Sequence, residues 1–466
     1  MPTPDRNDQF TPLTDRLRSS ILLRLLGLGG SMLLLQIPIG MIDGTIAERR
    51  ASRMEAVESV TKTWGGRQVV RGPFLVVPYV RRWVDEPNTR EAKPTVREET
   101  EYLYVLPTAL TIDGNVDAEV RRRGIFDVPL YVARLTLGGS FRLPQPNELP
   151  SNTVAIRWDQ TTLVLGLSDP RAIRDTAALE WNGARVPVEP GTGRMALFDR
   201  GLNAAVPIGV TPAGESLPFG LRLTIAGSDG VSFLPAGSES TVHVQSRWRD
   251  PSFDGAYLPA ERTVGPQGFE ATWRVSHLAR NFPGAWQAGE VRLRQLDEAL
   301  LGVSLLSPVD AYRTTDRAVK YEMLFIGLTF LSFLLFELIA GLRVHPVQYL
   351  LVGLALCLFY LLLLSFAEHV GFVAAYAIAS IAIATLTTAY SRAVLGGWTR
   401  GIAIAGEVGF LYAYLFVLLQ IQDYALLVGA VGLFFILAVV MFLTRRIDWY
   451  TLHTTGPPAR PGEAMG

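Results

Sequence analysis

Two carboxylates sit inside long apolar runs of this sequence. Glu337 lies near the end of one run, and Glu407 about a third of the way into another. An ionisable side chain in hydrocarbon is expensive to keep, so it marks an ion or proton path or a hydrogen bond between helices. A relay needs partners, and the apolar runs offer Gln36, Glu322, Tyr360 and Gln420. Glu337 can face Arg343 or reach headgroups. Glu407 is the more interesting of the two, and a buried interhelical hydrogen bond is its simplest role.

Elsewhere the chain carries no G-x-S-x-G, no H-E-x-x-H and no Walker A pattern. "GLGGS" and "EPGTG" lack the spacing of nucleotide-binding loops, and the latter reads as a turn around Gly191. The histidines are His243, His277, His345, His369 and His453; only the first two fall in the water-facing part, and neither has a ligand-like partner at short spacing. The sole cysteine, Cys357, lies in an apolar run and reads as a packing residue, so no disulfide staples the fold. We assign no catalytic, cofactor-binding or metal-binding residue. The most distinctive polar stretch is "SRWRDPSFDGAYLPAERTVGPQGFEATWRVSHLARNFP" (246–283), with Trp248, Asp250, Phe253 and Tyr257 as candidate functional residues. Its aromatics can form a recognition surface or pin a loop-rich cap onto a β fold, and the second is the preferred reading.

The elements that position these residues divide the 466-residue chain sharply. Residues 45–318 read like a water-facing domain, while 319–444 are overwhelmingly apolar. A hydrocarbon core of about 30 Å needs roughly 20 apolar residues in a helix. Val347 to Phe366 satisfies this with no charge. Five more runs pass, near 22–42, 322–341, 371–390, 401–420 and 424–443, giving six spans: one N-terminal and a five-helix bundle over 322–443. The first reads as an uncleaved anchor, since no clear cleavage site follows it.

Arg343 and His345, Arg392 and Arg400, and Arg445 and Arg446 occupy one set of loop ends; Glu368, His369 and Asp423 occupy the other. The positive-inside rule puts the Arg-bearing ends in the cytoplasm. Both tails, 1–21 and 444–466, are then cytoplasmic, and 45–318 lie outside, in the periplasm if the cell is bacterial. Arg49, Arg50 and Arg53 weakly oppose this orientation. "FLTRRIDWY" (442–450) reads as an interfacial anchor and the last residues as a short tail. The zero formal net charge argues against a nucleic-acid partner.

Residues 46–63 favour a helix, with many Ala, Glu, Arg and Met and no Gly or Pro. After Gly65-Gly66, segments such as "RQVVRGPFLVVPYVRRWV" and "VPLYVARLTLGGSFRL" are rich in β-branched and aromatic residues. "IDGN" and "WNGA" predict hairpin turns, and "SDPRAIRDTAAL" (168–179) predicts one helix capped by Ser168 or Asp169. The expected fold is an α+β membrane protein with a β-rich, antiparallel, sandwich-like external domain. "PQPNELPSN" (144–152) is a candidate boundary between two β modules.

Several stretches, in order along nearly the whole chain, resemble the bacterial inner-membrane CreD family, the cell-envelope integrity proteins. They are "MLLLQIPIGMI" with "ERR", "GPFLVVPY", "WRDPSFDGAYLPAER", the long stretch from "TDRAVKYEM" at Thr315 through "AEHVGF" at Phe372, and "FLTRRIDWY". The resemblance implies an inner-membrane protein with a large periplasmic domain, tied to envelope integrity and to a two-component stress and β-lactam response. It supplies no catalytic residues, because the activity of the family is not established. The expected partners are the lipid bilayer and an unidentified envelope component. A transporter or channel using the bundle and Glu407 is the alternative, and an enzyme gathering Glu368, His369 and Asp423 at one membrane face is a third possibility.

Overall fold

A computed structural model describes residues 21–85, 95–145, 148–206, 208–209, 215–305, 311–340, 344–421 and 424–445. The chain forms two compact units, Arg53–Pro308 and a second made of Met1–Ser52 with Val309–Gly466. The division falls inside the long first helix, α1 (Ile21–Trp64). The helix runs from an apolar start into the charged stretch foreseen over 46–63, where Lys62 pairs with Glu58 one turn back at 2.8 Å.

In Arg53–Pro308 the described strands run in chain order β1 (Gln68–Asp85), β2 (Thr95–Val105), β3 (Ala109–Arg123), β4 (Phe126–Arg142), β5 (Thr153–Ile156) and β6 (Thr162–Leu167). Next come β7 (Ala178–Trp181), β8 (Ala184–Val186), β9 (Glu189–Pro190), β10 (Gly201–Ala205), β11 (Ser216–Ser228) and β12 (Gly230–Phe233). The last six are β13 (Glu239–Ser246), β14 (Pro251–Gly255), β15 (Glu261–Gly265), β16 (Gly268–Ser276), β17 (Ala285–Gln287) and β18 (Leu301–Leu305), with a short helix α2 (Leu293–Asp297) before β18. One sheet follows the order β14-β18-β12-β1-β6-β10-β9, with β2, β5 and β17 joined to it. The other is β15-β16-β13-β3-β4-β11-β7-β8.

β1 is buried from Gly72 through Val80, which is why "GPFLVVPYV" reads as a continuous apolar run: a strand covered on both faces has no reason to alternate. β3 alternates exposed and buried residues over its first half, as a half-buried strand must. The two sheets share one apolar core in which Phe74, Tyr79, Tyr131, Phe141, Phe233 and Trp273 are almost wholly buried. Fully burying each such side chain contributes roughly 1.5–3 kcal/mol.

Three sequence expectations are corrected here. The sheets are mixed, since β1 pairs β12 and β3 pairs β13 in parallel. "IDGN" (112–115) is no turn but part of the first half of β3, where Asp113 and Asn115 face outward while Ile112 and Gly114 are buried. The stretch 168–179 is not a helix. Asp169 does cap a turn, accepting a hydrogen bond from the Arg171 backbone N–H at 3.2 Å, but the turn ends at Ala172. Ile173 then bridges to Ile225, and β7 pairs with β11. "WNGA" is the hairpin expected: Asn182 and Gly183, both at positive φ, join β7 to β8.

The second unit carries α3 (Ala311–Val319), α4 (Glu322–Ala340), α5 (Pro346–Val370), α6 (Phe372–Leu395), α7 (Trp398–Gln420) and α8 (Ala425–Thr444). Five helices among the described residues are long and apolar enough to cross a membrane: α1, α5, α6, α7 and α8. A sixth span exists only if α3 and α4, which meet at a 42° bend, count as one. The sequence reading began that span at residue 322; the helical pair begins eleven residues earlier, at Ala311. α5 starts with Pro346 in its first turn, capped by His345, whose Nδ1 accepts from the Val347 N–H. Leu426, Phe434, Phe435 and Leu437 on α8 are exposed, the pattern of a helix made to face lipid.

Candidate functional site

In the β unit the candidate residues of 246–283 gather around β14, at the edge of the first sheet. Trp248 is half-buried, its indole N–H donating to the Asp250 carbonyl at 3.1 Å, while the Asp250 side chain is exposed. Phe253 meets Phe269 and Trp273 edge-on, with centroids 5.7 and 5.8 Å away. The Trp273 indole N–H donates to the Tyr257 carbonyl at 3.1 Å, and the Tyr257 hydroxyl donates to the Ala279 carbonyl at 2.9 Å. Burial pushes the Tyr257 phenol above its ordinary pKa. Trp248, Phe253 and Tyr257 thus spend their contacts within the segment and on β16.

The outward side of the same strand is different. Pro251, Ser252, Phe253, Arg262 and Val264 line an open cleft of about 510 Å³. The Arg262 guanidinium stands 6.0 Å above the Phe253 ring. Leu258 and Leu278, beside the two residues joined by the Tyr257–Ala279 bond, are 72% and 84% exposed.

Two arginines missed from the sequence fix this region. Arg67 donates to both carboxylate oxygens of Asp254 at 2.8 and 2.9 Å and to Ser304 Oγ at 2.6 Å, tying β14 and β18 to the entry of β1. Arg280 Nη1 donates to the carbonyls of Pro235, Ala236 and Gly237, and its guanidinium lies 4.9 Å from the Phe282 centroid. Burial pushes Arg280 down to about 10, so it remains a cation at neutral pH. Arg67 and Asp254 are too far apart in sequence for any spacing rule to join them. Among the described residues no group of three or more His, Cys, Asp or Glu could hold a metal ion.

In the helical unit, Glu337 is 4% exposed and accepts a hydrogen bond from the Tyr349 hydroxyl of α5 at 3.1 Å. It is a buried interhelical group rather than one reaching headgroups; Arg343 lies outside the described residues. Glu407 on α7 is half-buried and hydrogen-bonded by Ser332 of α4. It lines a groove of about 890 Å³ between α4, α7 and α8, whose other walls are apolar residues such as Leu328, Leu335, Val431 and Phe435. Glu368 is held by the Tyr312 hydroxyl at 2.9 Å and by Arg49 at 3.8 Å; Asp423 lies outside the described residues. Glu322, first noticed only as a possible relay partner, is itself 1% exposed, its carboxyl meeting the Cys357 thiol of α5.

A family model described as "Inner membrane protein CreD" matches residues 20–450. The chain is 35% identical over 439 residues to Inner membrane protein CreD of Escherichia coli (strain K12), covering 93% of this chain and 95% of that protein. Among solved structures, the crystal structure of an M1 zinc metallopeptidase from Deinococcus radiodurans aligns over 42% of this chain and 41% of its own, at 14% identity and a TM-score of 0.21. A mutant form of that enzyme aligns at 16% identity over the same shares with a TM-score of 0.20. Scores that low carry no argument about fold or activity.

Proposed function

Because this chain belongs to the CreD family of inner-membrane proteins, we propose that it maintains the cell envelope by non-catalytic binding. In this reading residues 45–318 form a sandwich-like domain in the periplasm that binds an envelope component. Six spans anchor it, α3 and α4 together making one, and both termini lie in the cytoplasm. The same role links it to a two-component stress and β-lactam response.

The observation that supports binding most directly is the cleft of Phe253 and Arg262. It offers an aromatic face beneath a guanidinium, with exposed Leu258 and Leu278 on the same segment. Aromatic and arginine side chains beside exposed apolar ones are what recognition surfaces use. The rest of the segment spends its polar groups on its own packing, which suits a preformed surface.

The test is rescue of a deletion strain, scored by envelope morphology and antibiotic tolerance. Arg262→Glu combined with Leu278→Asp should abolish rescue at unchanged protein level, and full rescue by that variant overturns the reading. A second reading, transport through the bundle, is favoured by the Glu407 groove. Full rescue by Glu407→Gln removes its main support.

A further inference from the structure

The bend between α3 and α4 lies beside a helix that does not bend. Tyr312 of α3 donates to Glu368 near the last turn of α5, and Tyr349 near the first turn of α5 donates to Glu337 near the end of α4. The broken pair therefore runs antiparallel along nearly the whole of α5, and Glu322, the first residue after the break, falls between the two ties. On α5 the residues beside it are Cys357 and Tyr360. These lie roughly 16–21 Å from the start of that helix. Glu322 is thus level with the middle of α5, a helix long enough to cross a membrane.

Its surroundings are unusual. Glu322 is 1% exposed, and among the described residues its carboxyl oxygens have no hydrogen-bond donor stronger than a thiol. The Cys357 thiol lies next to it. The hydroxyls of Tyr360 on α5 and Tyr412 on α7 are close enough to sense its charge, and both are buried without hydrogen-bond partners among the described residues. Tyr412 is held in place by Phe325 and Phe359, at centroid distances of 6.2 and 4.4 Å. On α6, Tyr376 donates to the Tyr412 carbonyl at 2.6 Å, so its proton points away from Glu322. From α1 the charged neighbour is Asp43, which has the same sign. The nearby cations are engaged elsewhere: Lys320 and Arg50 both pair with Asp316 at 3.5 Å.

Among the described residues a carboxylate here meets one weak thiol donor, two phenols and the like-charged Asp43, so its desolvation is poorly offset, whereas the neutral acid loses most of that penalty. The N-terminus of α4 works the other way, since its free N–H groups favour a negative charge there. The two influences oppose each other at one residue, at the point where the helix is broken. A hard metal cation fits poorly, because it wants about six oxygen ligands and the site offers one carboxyl, two phenols and a thiol. The ligand that matches is a proton.

We propose that Glu322 is a proton-binding site at the α3–α4 break. While the break is dry the carboxyl keeps its proton. When the two helices part and water enters, the O–H bond breaks, the proton leaves as hydronium, and Tyr360 and Tyr412 turn their hydroxyls onto the carboxylate. Protonation and the geometry of the bend are thereby coupled. This site is separate from the cleft of the β unit, and its test does not depend on what that cleft binds.

The experiment uses the full chain in lipid nanodiscs and infrared difference spectroscopy through a pH titration. Wild type and Glu407→Gln should both show a carboxylic-acid C=O band at neutral pH that moves in D2O and disappears on alkalinisation; Glu322→Gln should lack it. In Tyr360→Phe/Tyr412→Phe the band should persist to higher pH, because the hydroxyls that receive the carboxylate are gone. Cys357, the single thiol of the chain, gives an independent readout. Its alkylation rate relative to Glu322→Gln should rise by up to about tenfold per pH unit below the midpoint and level off above it, as the ionised fraction of a single group does. If Glu322→Gln does not insert, Glu322→Asp should keep the band and shift its midpoint. A spectrum with no acid band assignable to Glu322, or alkylation curves of wild type and variant that superimpose at every pH, overturns the proposal.

Discussion

Replacing Trp273 by Ala should be the most damaging single change in the segment 246–283. Trp273 is fully buried between the sheets, donates to the Tyr257 carbonyl and receives the edge contact of Phe253. Truncating a buried aromatic of this size costs about 3–5 kcal/mol, and we take ~4 kcal/mol because the exposed side of the Tyr257 loop can rehydrate its carbonyl. For a domain of this size each kcal/mol moves Tm by about 2–4 °C, so the expected loss is about 8–16 °C. Trp248→Ala, which removes a half-buried ring at the rim, should cost about 1–2 kcal/mol and so about 2–8 °C. The assay is thermal unfolding of the full chain in nanodiscs, following the β-sheet circular dichroism band. A Trp273→Ala loss below about 4 °C, or a larger loss for Trp248→Ala, would refute the view that this segment is a cap pinned from within.

Adjacent glycines of β4 should behave oppositely. A Cβ on Gly139 would lie 2.0 Å from the Ala109 carbonyl oxygen, while one on Gly138 would have its nearest neighbour, the Phe219 carbonyl oxygen, at 3.9 Å. Gly139→Ala should therefore cost about 2–3 kcal/mol and Gly138→Ala less than about 0.5 kcal/mol in the same melt. Arg280→Ala strips one donor group from three carbonyls and uncovers Phe282. It should cost about 3 kcal/mol, with Arg280→Lys recovering only part in a urea titration. Asp169 is held below its ordinary pKa by its hydrogen bonds to Arg171, with burial opposing. Its contribution is present above the unfolded value of about 3.9 and is lost as pH falls through the lower folded value. Asp169→Asn should thus lower Tm at pH 7 and converge with wild type as the titration goes well below that value.

The spans were legible because a helix in lipid must be apolar over its whole length, and Val347–Phe366 announces α5 without any tertiary information. The long strand β1 was legible for the related reason that both of its faces are covered. "WNGA" was readable because two positive-φ residues at a two-residue turn are a local demand. "IDGN" carried the same letters, yet its polar residues serve the outward face of β3, which pairs on both sides. In 168–179 the cap chemistry at Asp169 was correctly read, but strand pairing to β11 overrode helix propensity after Ala172. The parallel ladders join β1 to β12 and β3 to β13, partners more than a hundred residues apart in sequence, so no local pattern encodes them. Trp248, Phe253 and Tyr257 were found by their composition, whereas Arg67 and Arg262 look like ordinary surface charges until the sheets assemble. Glu322 was named only as one possible relay partner, because the run was begun at it and the helix upstream of it was not read. The signal that could have found it is "TTDRAVKYE", which has no Gly or Pro and lets a helix continue upstream of the apolar run.

The central claim, that the β unit acts by binding in the envelope, is tested most directly by in-cell photocrosslinking with a photoreactive residue at 258, 262 or 278. We predict one reproducible envelope component, captured from all three positions, with capture at 258 lost when Arg262→Glu is introduced. Full-length, membrane-inserted protein that captures nothing at any of the three positions would contradict the claim.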